Sequence, residues 1–541
     1  MKTHRICIVV LTFLMILTLA VSCAKKDSAQ SQSQAQTVAK APEPVDDLCR
    51  NWYEIYVGSF FDTDNDGIGD LAGVTAKLDY IKDMGFNGIW LMPITKGTSY
   101  HKYDVEDYYD VDPQFGNLDD MKTLVKEAHA RGIDIIIDLV VNHTSSSHPW
   151  FKEACEYLVS RGQAGGTYGD YYNFSQTQKQ GYQRVPGSAW YYECQFTGTM
   201  PDLNLDSQAV RSEVENIIRF WLSDIGIDGF RLDAVTSFYT NSTQKSIEFL
   251  SFLNTTAKAI KSDCYIVGEA WLTNNAAVRE YYASGIDSFF CFPLAMGTGR
   301  IADVLKDIRS TPGKTLGELM TELDQVYDTG ILAPFLSNHD TARIASFTGR
   351  SQTDKIKMSQ GLLSLMSGSL FVYYGEEIGM ISTSDGADPY KRIAMKWSDK
   401  SVYEGWCYTT PQGISVTKDN YYYPSVETQA EDPASILSYY KASLEARNNN
   451  PEIARGELKI LDSYYDQSGY VCVMQRTWNG KTVTIAVNLD REWSHDITLD
   501  SSLGSLSLNS RLCAGNSTET VTFDAKAGAL HLPPYSIAIL R

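Results

Sequence analysis

The chain has 541 residues, 43% of them hydrophobic and 21% charged, and carries a formal net charge of −19. That length exceeds one ordinary compact domain, so two or three are expected, and the composition is that of a globular protein. The acidic balance argues against a nucleic-acid partner, which needs basic patches; it suits a neutral ligand, and serves equally to keep the protein soluble.

Lys2 and Arg5 precede an almost wholly apolar run, Ile6 to Val21. A basic start and an apolar run too short for a membrane span form the pattern of an export signal, here residues 1–22. Leu19-Ala20-Val21-Ser22-Cys23 resembles a lipobox, which would make Cys23 an acylated first residue; Ala20 stands where leucine is commoner, and ordinary cleavage is the alternative. Residues 23–47, rich in Ser, Gln, Ala, Lys and Pro, cannot build a core and are expected to form a flexible tether. Of the ten cysteines, the eight beyond Cys23 show no metal-type spacing. An export signal permits disulfides, and free buried thiols are equally compatible with the pattern.

From Trp52 onward, strand-like and helix-like runs alternate. Trp52–Phe60, Gly88–Ile94, Ile133–Val141, Gly229–Val235, Tyr265–Ala270, Ser288–Leu294, Ala333–Leu336 and Leu370–Tyr374 are the strand candidates. Helical patterns occupy Val74–Met84, Leu118–Arg131, Ala209–Ile225, Ser246–Lys261 and Lys355–Met366. Eight such units predict an α/β fold, a (β/α)8 barrel, whose functional residues sit at the carboxyl ends of the strands. After the first strand comes Asp62-Thr63-Asp64-Asn65-Asp66-Gly67-Ile68-Gly69-Asp70. Oxygen ligands at alternating positions around a glycine turn describe a calcium loop. An EF-hand would end on glutamate, where Gly73 stands, and an acidic turn without metal is the plainer alternative. The stretch from Asn142 to the helix near Ala209 is far too long for an ordinary loop. Beyond about residue 449 the segments alternate in a period of two and turn at Trp478-Asn479-Gly480, the pattern of hairpins in an antiparallel sandwich.

Two strand candidates end in an acid: Gly229-Phe230-Arg231-Leu232-Asp233-Ala234-Val235 and Val267-Gly268-Glu269-Ala270-Trp271. Ser337-Asn338-His339-Asp340 follows in the same style. A buried parallel strand that delivers a charge at its carboxyl end has this form, and glycosidic-bond cleavage needs a pair of carboxylates. Arg231 lies two residues before Asp233, on the same strand face. A guanidinium beside a carboxylate favours the charged form a nucleophile needs. Trp271 either covers Glu269 with apolar surface or packs in the core.

Taken with Asp138-Leu139-Val140-Val141-Asn142-His143 and Met200-Pro201-Asp202-Leu203-Asn204, these segments resemble, in order, the five signature regions of the α-amylase family, glycoside hydrolase family 13. The fifth segment is similar to the variant of members intermediate between oligo-1,6-glucosidases and neopullulanases. The resemblance implies Asp233 as nucleophile, Glu269 as general acid and base, and Asp340 as the third acid. It implies Tyr103, Asp104, His143, Arg231 and His339 around the innermost sugar, with Asp138 supporting Arg231. It implies a structural Ca2+ held by Asp62, Asp64, Asp66 and Asp70 through carboxylates and by Ile68 through its carbonyl. The residues after Asp233 lack the Lys-His pair of a further calcium site, although Asn142 is present. The implied organisation is a barrel in two parts, 48–142 and 208–449, an inserted domain B at 143–207, and a C-terminal antiparallel β-sandwich at 450–541.

The implied activity is retaining hydrolysis of internal α-1,4 bonds in starch, glycogen or maltodextrins, with the two carboxyl groups about 5–5.5 Å apart. Ala234 favours α-1,4 over α-1,6 cleavage, since valine is usual there in the α-1,6 groups. Neopullulanase or cyclomaltodextrinase, oligo-1,6-glucosidase and 4-α-glucanotransferase are the alternatives within the family. A non-catalytic glycan-binding lipoprotein is the alternative outside it. The membrane would be met only through a lipid anchor, outside the cytoplasm.

Overall fold

Eight short strands carry the site: β1 (Asn51–Ile55), β2 (Gly88–Leu91), β3 (Asp134–Leu139), β4 (Gly229–Leu232), β5 (Tyr265–Gly268), β6 (Ser288–Phe290), β7 (Ile331–Ala333) and β8 (Leu370–Tyr373). All neighbours run parallel, in the order β7-β6-β5-β4-β3-β2-β1-β8. Just past β7, Phe335 pairs in parallel with Phe371 of β8 and closes the ring. The computed structural model describes residues 45, 47–295, 300–305, 311–326, 328–348, 351–382, 387–409, 420–465 and 468–541. The expected export segment, Cys23 and nearly all of the tether lie outside the described residues. Among the described residues no helix is long and apolar enough to cross a membrane.

The two-residue period of a strand decides what the barrel contains. One face of each strand points inward, where Trp52, Trp90, Ile136, Tyr265, Val267, Phe290, Ala333, Phe335 and Phe371 pack into one cluster. The other face, including Tyr53, Ile55, Ile89, Ile135, Ile137, Phe230 and Leu232, belongs to the large core beneath the helices. Stepping by two along the inner face runs from Trp52 to Glu54, from Ile136 to Asp138, and from Val267 to Glu269. These three strands therefore begin in the hydrophobic floor and end in a charge. Gly229 has φ +153°, and a Cβ there would lie 1.8 Å from the Tyr265 carbonyl oxygen, so the approach of β4 to β5 requires glycine.

Helices cover the outside. The helix Leu118–His129 starts at Asn117, whose side chain accepts from the Asp119 and Asp120 amides while Asp120 returns a bond to the Asn117 N–H. Such a reciprocal cap contributes about 1 kcal/mol. The run expected as one helix from Val74 to Met84 is two, Leu71–Ala76 and Leu78–Asp83, because Lys77 between them leaves helical geometry. Strand β7 lies earlier than expected, at Ile331–Ala333.

Between β3 and the helix Gln208–Arg219, the chain makes the long excursion, with a helix at Pro149–Arg161 and a three-stranded antiparallel sheet (Phe174–Ser175, Tyr191–Glu193, Tyr182–Arg184). Bridges between His143 and Asp202 and between Tyr172 and Leu203 close its neck. At the C-terminal end a five-stranded and a three-stranded antiparallel sheet enclose their own core, including Val471, Val473, Ala538 and Leu540. The hairpin Val471–Trp478 and Lys481–Asn488 turns on Asn479 and Gly480, at φ +49° and +71°. Two such residues give the tight turn whose twist matches the strands. The eight described cysteines form no disulfide.

Candidate active site

Strand register brings the charged ends together. Asp138 on β3 is the direct neighbour of Arg231 on β4, which is in turn opposite Val267 on β5. Arg231 is 1% exposed and serves three carboxylates. Its Nη1 donates to Asp138 Oδ1 at 2.5 Å and to Asp233 Oδ1 at 2.6 Å, and its Nη2 pairs with Glu269 Oε1 at 2.9 Å. The planar guanidinium fork suits this task, which a lysine ammonium could not perform. Strand β4 ends at Leu232, and the chain turns through Ala234 at φ +47°, a strained conformation for a non-glycine residue. That turn aims the Ala234 N–H at Glu269 Oε2, 2.9 Å away.

Glu269 and Asp233 thus share one cation but sit in different settings. Burial pushes the Glu269 carboxyl up to about 7; Arg231 opposes the rise, and the Asp233 and Asp340 charges add to it. Asp138 is also raised by burial, to about 6, against the pull of Arg231, and it accepts the Trp90 indole N–H at 2.9 Å.

Asp340, on the turn beyond β7, lines the same cleft as Asp233 and Glu269. Its Oδ1 pairs with Arg392 at 2.7 Å and its Oδ2 with His339 Nε2 at 3.0 Å. Burial would raise this carboxyl, but the His339 and Arg392 cations hold it well below the usual carboxylate range. The Tyr103 hydroxyl lies 2.7 Å from His339 Nε2, and the two rings stack at 5.7 Å between centroids. His143 Nε2 lies 3.2 Å from the Tyr103 carbonyl oxygen. A carbonyl only accepts, so Nε2 carries the hydrogen. Burial lowers the His143 imidazole against the opposing pull of Asp233.

Eight of the residues singled out in the sequence therefore converge: Asp138, Arg231, Asp233, Glu269, Asp340, Tyr103, His143 and His339. Asp104 does not join them at the cleft. It is 4% exposed and accepts from the Ser99 N–H and from the Thr98 and Ser99 hydroxyls, which ties down its own turn. Trp271 is not a core residue. It is 41% exposed at the cleft, stacked on Phe292. Phe196, from the excursion, faces the cleft beside His143 and is half exposed. Arg392 and Phe196 come from stretches without periodicity and left no signal in the sequence. Glu54 did leave one: a carboxylate inside an otherwise apolar strand.

The acidic loop forms a separate cluster. Oxygens of Asp62, Asp64 and Asp70 lie within 4.8 Å of one another. Among the described residues, no lysine or arginine forms an ion pair with them. Asp66 stands outside this group of three and accepts the Ile68 N–H. At the neck of the excursion, the Asn142 amide and the Gln195 N–H both donate to Asp202, which burial raises to about 7. The Gln195 side chain reaches the carbonyl of Ser237, just past Asp233, where a Lys-His pair would be needed for a further calcium site.

The sequence profile of the α-amylase catalytic domain matches residues 54–456. Alpha-amylase 3 of Dictyoglomus thermophilum is 38% identical over 453 residues, spanning 81% of this chain and 84% of that protein. An oligo-1,6-glucosidase of Parageobacillus thermoglucosidasius is 31% identical over 523 residues, spanning 81% and 90%. Among solved structures, Eubacterium rectale Amy13B superposes with a TM-score of 0.85 at 41% identity, covering 92% of this chain and 96% of that one. With a profile match over most of its length and a barrel that gathers the expected acids, the chain belongs to the α-amylase family, glycoside hydrolase family 13, and is a glycosidase of that type.

Proposed function

We propose that the protein hydrolyses internal α-1,4-glucosidic bonds of starch, glycogen or maltodextrins with retention of configuration. The observation that carries this reading is the unequal treatment of two neighbouring carboxyl groups. Asp233 is paired with Arg231 through a short bond, while burial holds Glu269 near 7, where it can carry a proton at working pH. Glu269 passes its proton to the glycosidic oxygen as an Asp233 oxygen bonds to the anomeric carbon, and the leaving sugar departs. Water then attacks that carbon, gives its proton to Glu269, and frees Asp233. Asp340, His339, Tyr103 and His143 would hold the innermost sugar, and Asp138 would steady Arg231. The α-1,4 preference rests on Ala234 and on the likeness to Alpha-amylase 3. The likeness to an oligo-1,6-glucosidase supports α-1,6 cleavage as the second reading.

A product time course on soluble starch, pullulan and β-cyclodextrin, with Asp233→Asn as control, tests this. Rapid loss of iodine staining with mixed maltooligosaccharides, and little attack on the other two, is the expected result. Preferential cleavage of pullulan or cyclodextrin would overturn it in favour of neopullulanase chemistry, and full activity of Asp233→Asn would overturn the role of that residue.

Two further assignments belong to the same reading. Asp62, Asp64 and Asp70, which among the described residues pair with no lysine or arginine, would hold a structural Ca2+, supplying loop rigidity and no chemistry. The chain would reach a membrane through lipid on Cys23; mass spectrometry of the mature N-terminus tests that.

A further inference from the structure

Behind the sugar-binding wall lies a buried carboxylate that the proposed reaction does not use. Glu54, on the inner face of β1, is 1% exposed, and His339 is fully buried. Glu54 Oε1 lies 2.5 Å from His339 Nδ1 and also accepts the His339 backbone N–H at 3.3 Å. The other ring nitrogen, Nε2, faces Asp340 Oδ2 at 3.0 Å and the Tyr103 hydroxyl at 2.7 Å. An ionised carboxylate can only accept. With carboxylates at both ends, the ring satisfies its neighbours only when both nitrogens carry hydrogen.

We propose that Glu54 is a positioning residue that holds His339 as an imidazolium, with its Nε2–H fixed behind the cleft on Asp340 and Tyr103, the two groups that meet the innermost sugar. The proposal rests on the reading of that wall as the sugar-binding one.

The surroundings agree from every side. Arg392 donates its Nε–H to the His339 carbonyl and pairs with Asp340, so the cation on that flank is already neutralised. The Tyr103 hydroxyl can accept from Nε2 and pass its own hydrogen towards Asp138 Oδ2, 3.5 Å away, on the carboxylate whose Oδ1 Arg231 binds. The indole of Trp90 closes the remaining face, edge-on at 5.6 Å. Burial would lower the His339 imidazole, but Asp340 and Glu54 outweigh it and raise it to about 9. The ring is therefore charged below that pH and loses its charge only on the alkaline side. The consequence is a chain of hydrogen bonds from Glu54 through His339 and Tyr103 to the carboxylate that holds Arg231. A buried charge on β1 thereby sets the placement of Asp340 and Tyr103 at the cleft without touching the substrate.

Removing the Glu54 charge while keeping its shape isolates this role. In Glu54→Gln, nothing on the Nδ1 side demands a proton, and His339 should be neutral near neutral pH. The loss of the charge-assisted hydrogen bond by which His339 holds Asp340 and Tyr103 in place corresponds to about a 10- to 100-fold fall in kcat, with KM moving less. Glu54→Asp, which restores the charge, should recover part of that loss. The decisive measurement is nitrogen NMR of ring-labelled histidine in the full chain at about pH 7.5, with the His339 signal identified by its absence in His339→Asn. Two protonated ring nitrogens in the wild type and a bare one in Glu54→Gln are expected. A neutral His339 in the wild type overturns the proposal, and that result stands even if Glu54→Gln fails to fold. A persisting imidazolium in Glu54→Gln, with kcat within about twofold of the wild type, overturns it as well. The NMR readout needs no turnover, so it is separate from any failure of the chain to cleave α-glucans.

Discussion

Replacing Arg231 with methionine tests the arrangement at its centre. The substitution keeps an unbranched apolar stem and deletes a cation that contacts Asp138, Asp233 and Glu269 at 2.5, 2.6 and 2.9 Å. Each bond to a charged group is worth about 1.5–3 kcal/mol, but the three share one guanidinium and do not add. Breaking a buried pair from one side costs about 3–5 kcal/mol, which serves as the working figure for the loss of stability at neutral pH. If about 4 kcal/mol of that is also lost from the transition state, kcat/KM falls about a thousandfold. The sign of the pH effect follows from the same contacts. Arg231 opposes the rise of Glu269, so without it the carboxyl must climb further above 7. The general acid then keeps its proton to higher pH, and the alkaline limb of kcat/KM should move upward. The stability gap between variant and wild type should narrow as pH falls, because protonating the orphaned carboxyls removes their repulsion. Rates on a chromogenic maltooligosaccharide across pH, paired with calorimetry, measure both. An alkaline limb that stays put or moves down would refute the account, as would a gap independent of pH.

In the wild type, the alkaline limb itself should fall near 7, where Glu269 loses its proton; a limb that instead sits beyond 9 would remove Glu269 from the role of acid. Glu269→Gln should lose about 10²- to 10⁴-fold on natural glucans but much less on a substrate with an acidic leaving group, which needs no protonation. Equal losses on both substrates would argue against that assignment. Chelation by EDTA should lower the melting temperature and added Ca2+ should restore it, with Asp62→Asn blunting the response; a melting curve indifferent to both would dismiss the metal. Gly229→Ala should cost at least about 2–3 kcal/mol or prevent folding, since its Cβ would meet the Tyr265 carbonyl oxygen at 1.8 Å. A variant with unchanged denaturant midpoint would contradict the close approach of β4 and β5.

The barrel is legible in the sequence because its signal is local. Burial on both faces makes each strand a short apolar run, and the period of two dictates which side chain ends on the inner face. Asp233 and Glu269 could be assigned to strand ends for that reason, and the hairpin at Asn479-Gly480 because positive φ has a residue preference. Strand lengths were less legible, since a run such as Trp52–Phe60 stays apolar after β1 has ended at Ile55.

The environment of each charge was decided only by the tertiary structure. Arg231 reaches Asp138 because β3 and β4 pair in one register, and a shift of one residue would turn them to opposite faces. Glu54 and His339 meet across 285 positions of chain. Asp104, beside a residue of the cleft, spends its oxygens on its own turn instead. A sequence names a carboxyl group, but whether it holds a proton depends on the water it has lost and the charges it faces through space. Those neighbours come from β1, β3, β4, β5 and the turn beyond β7, so no single stretch of sequence contains them.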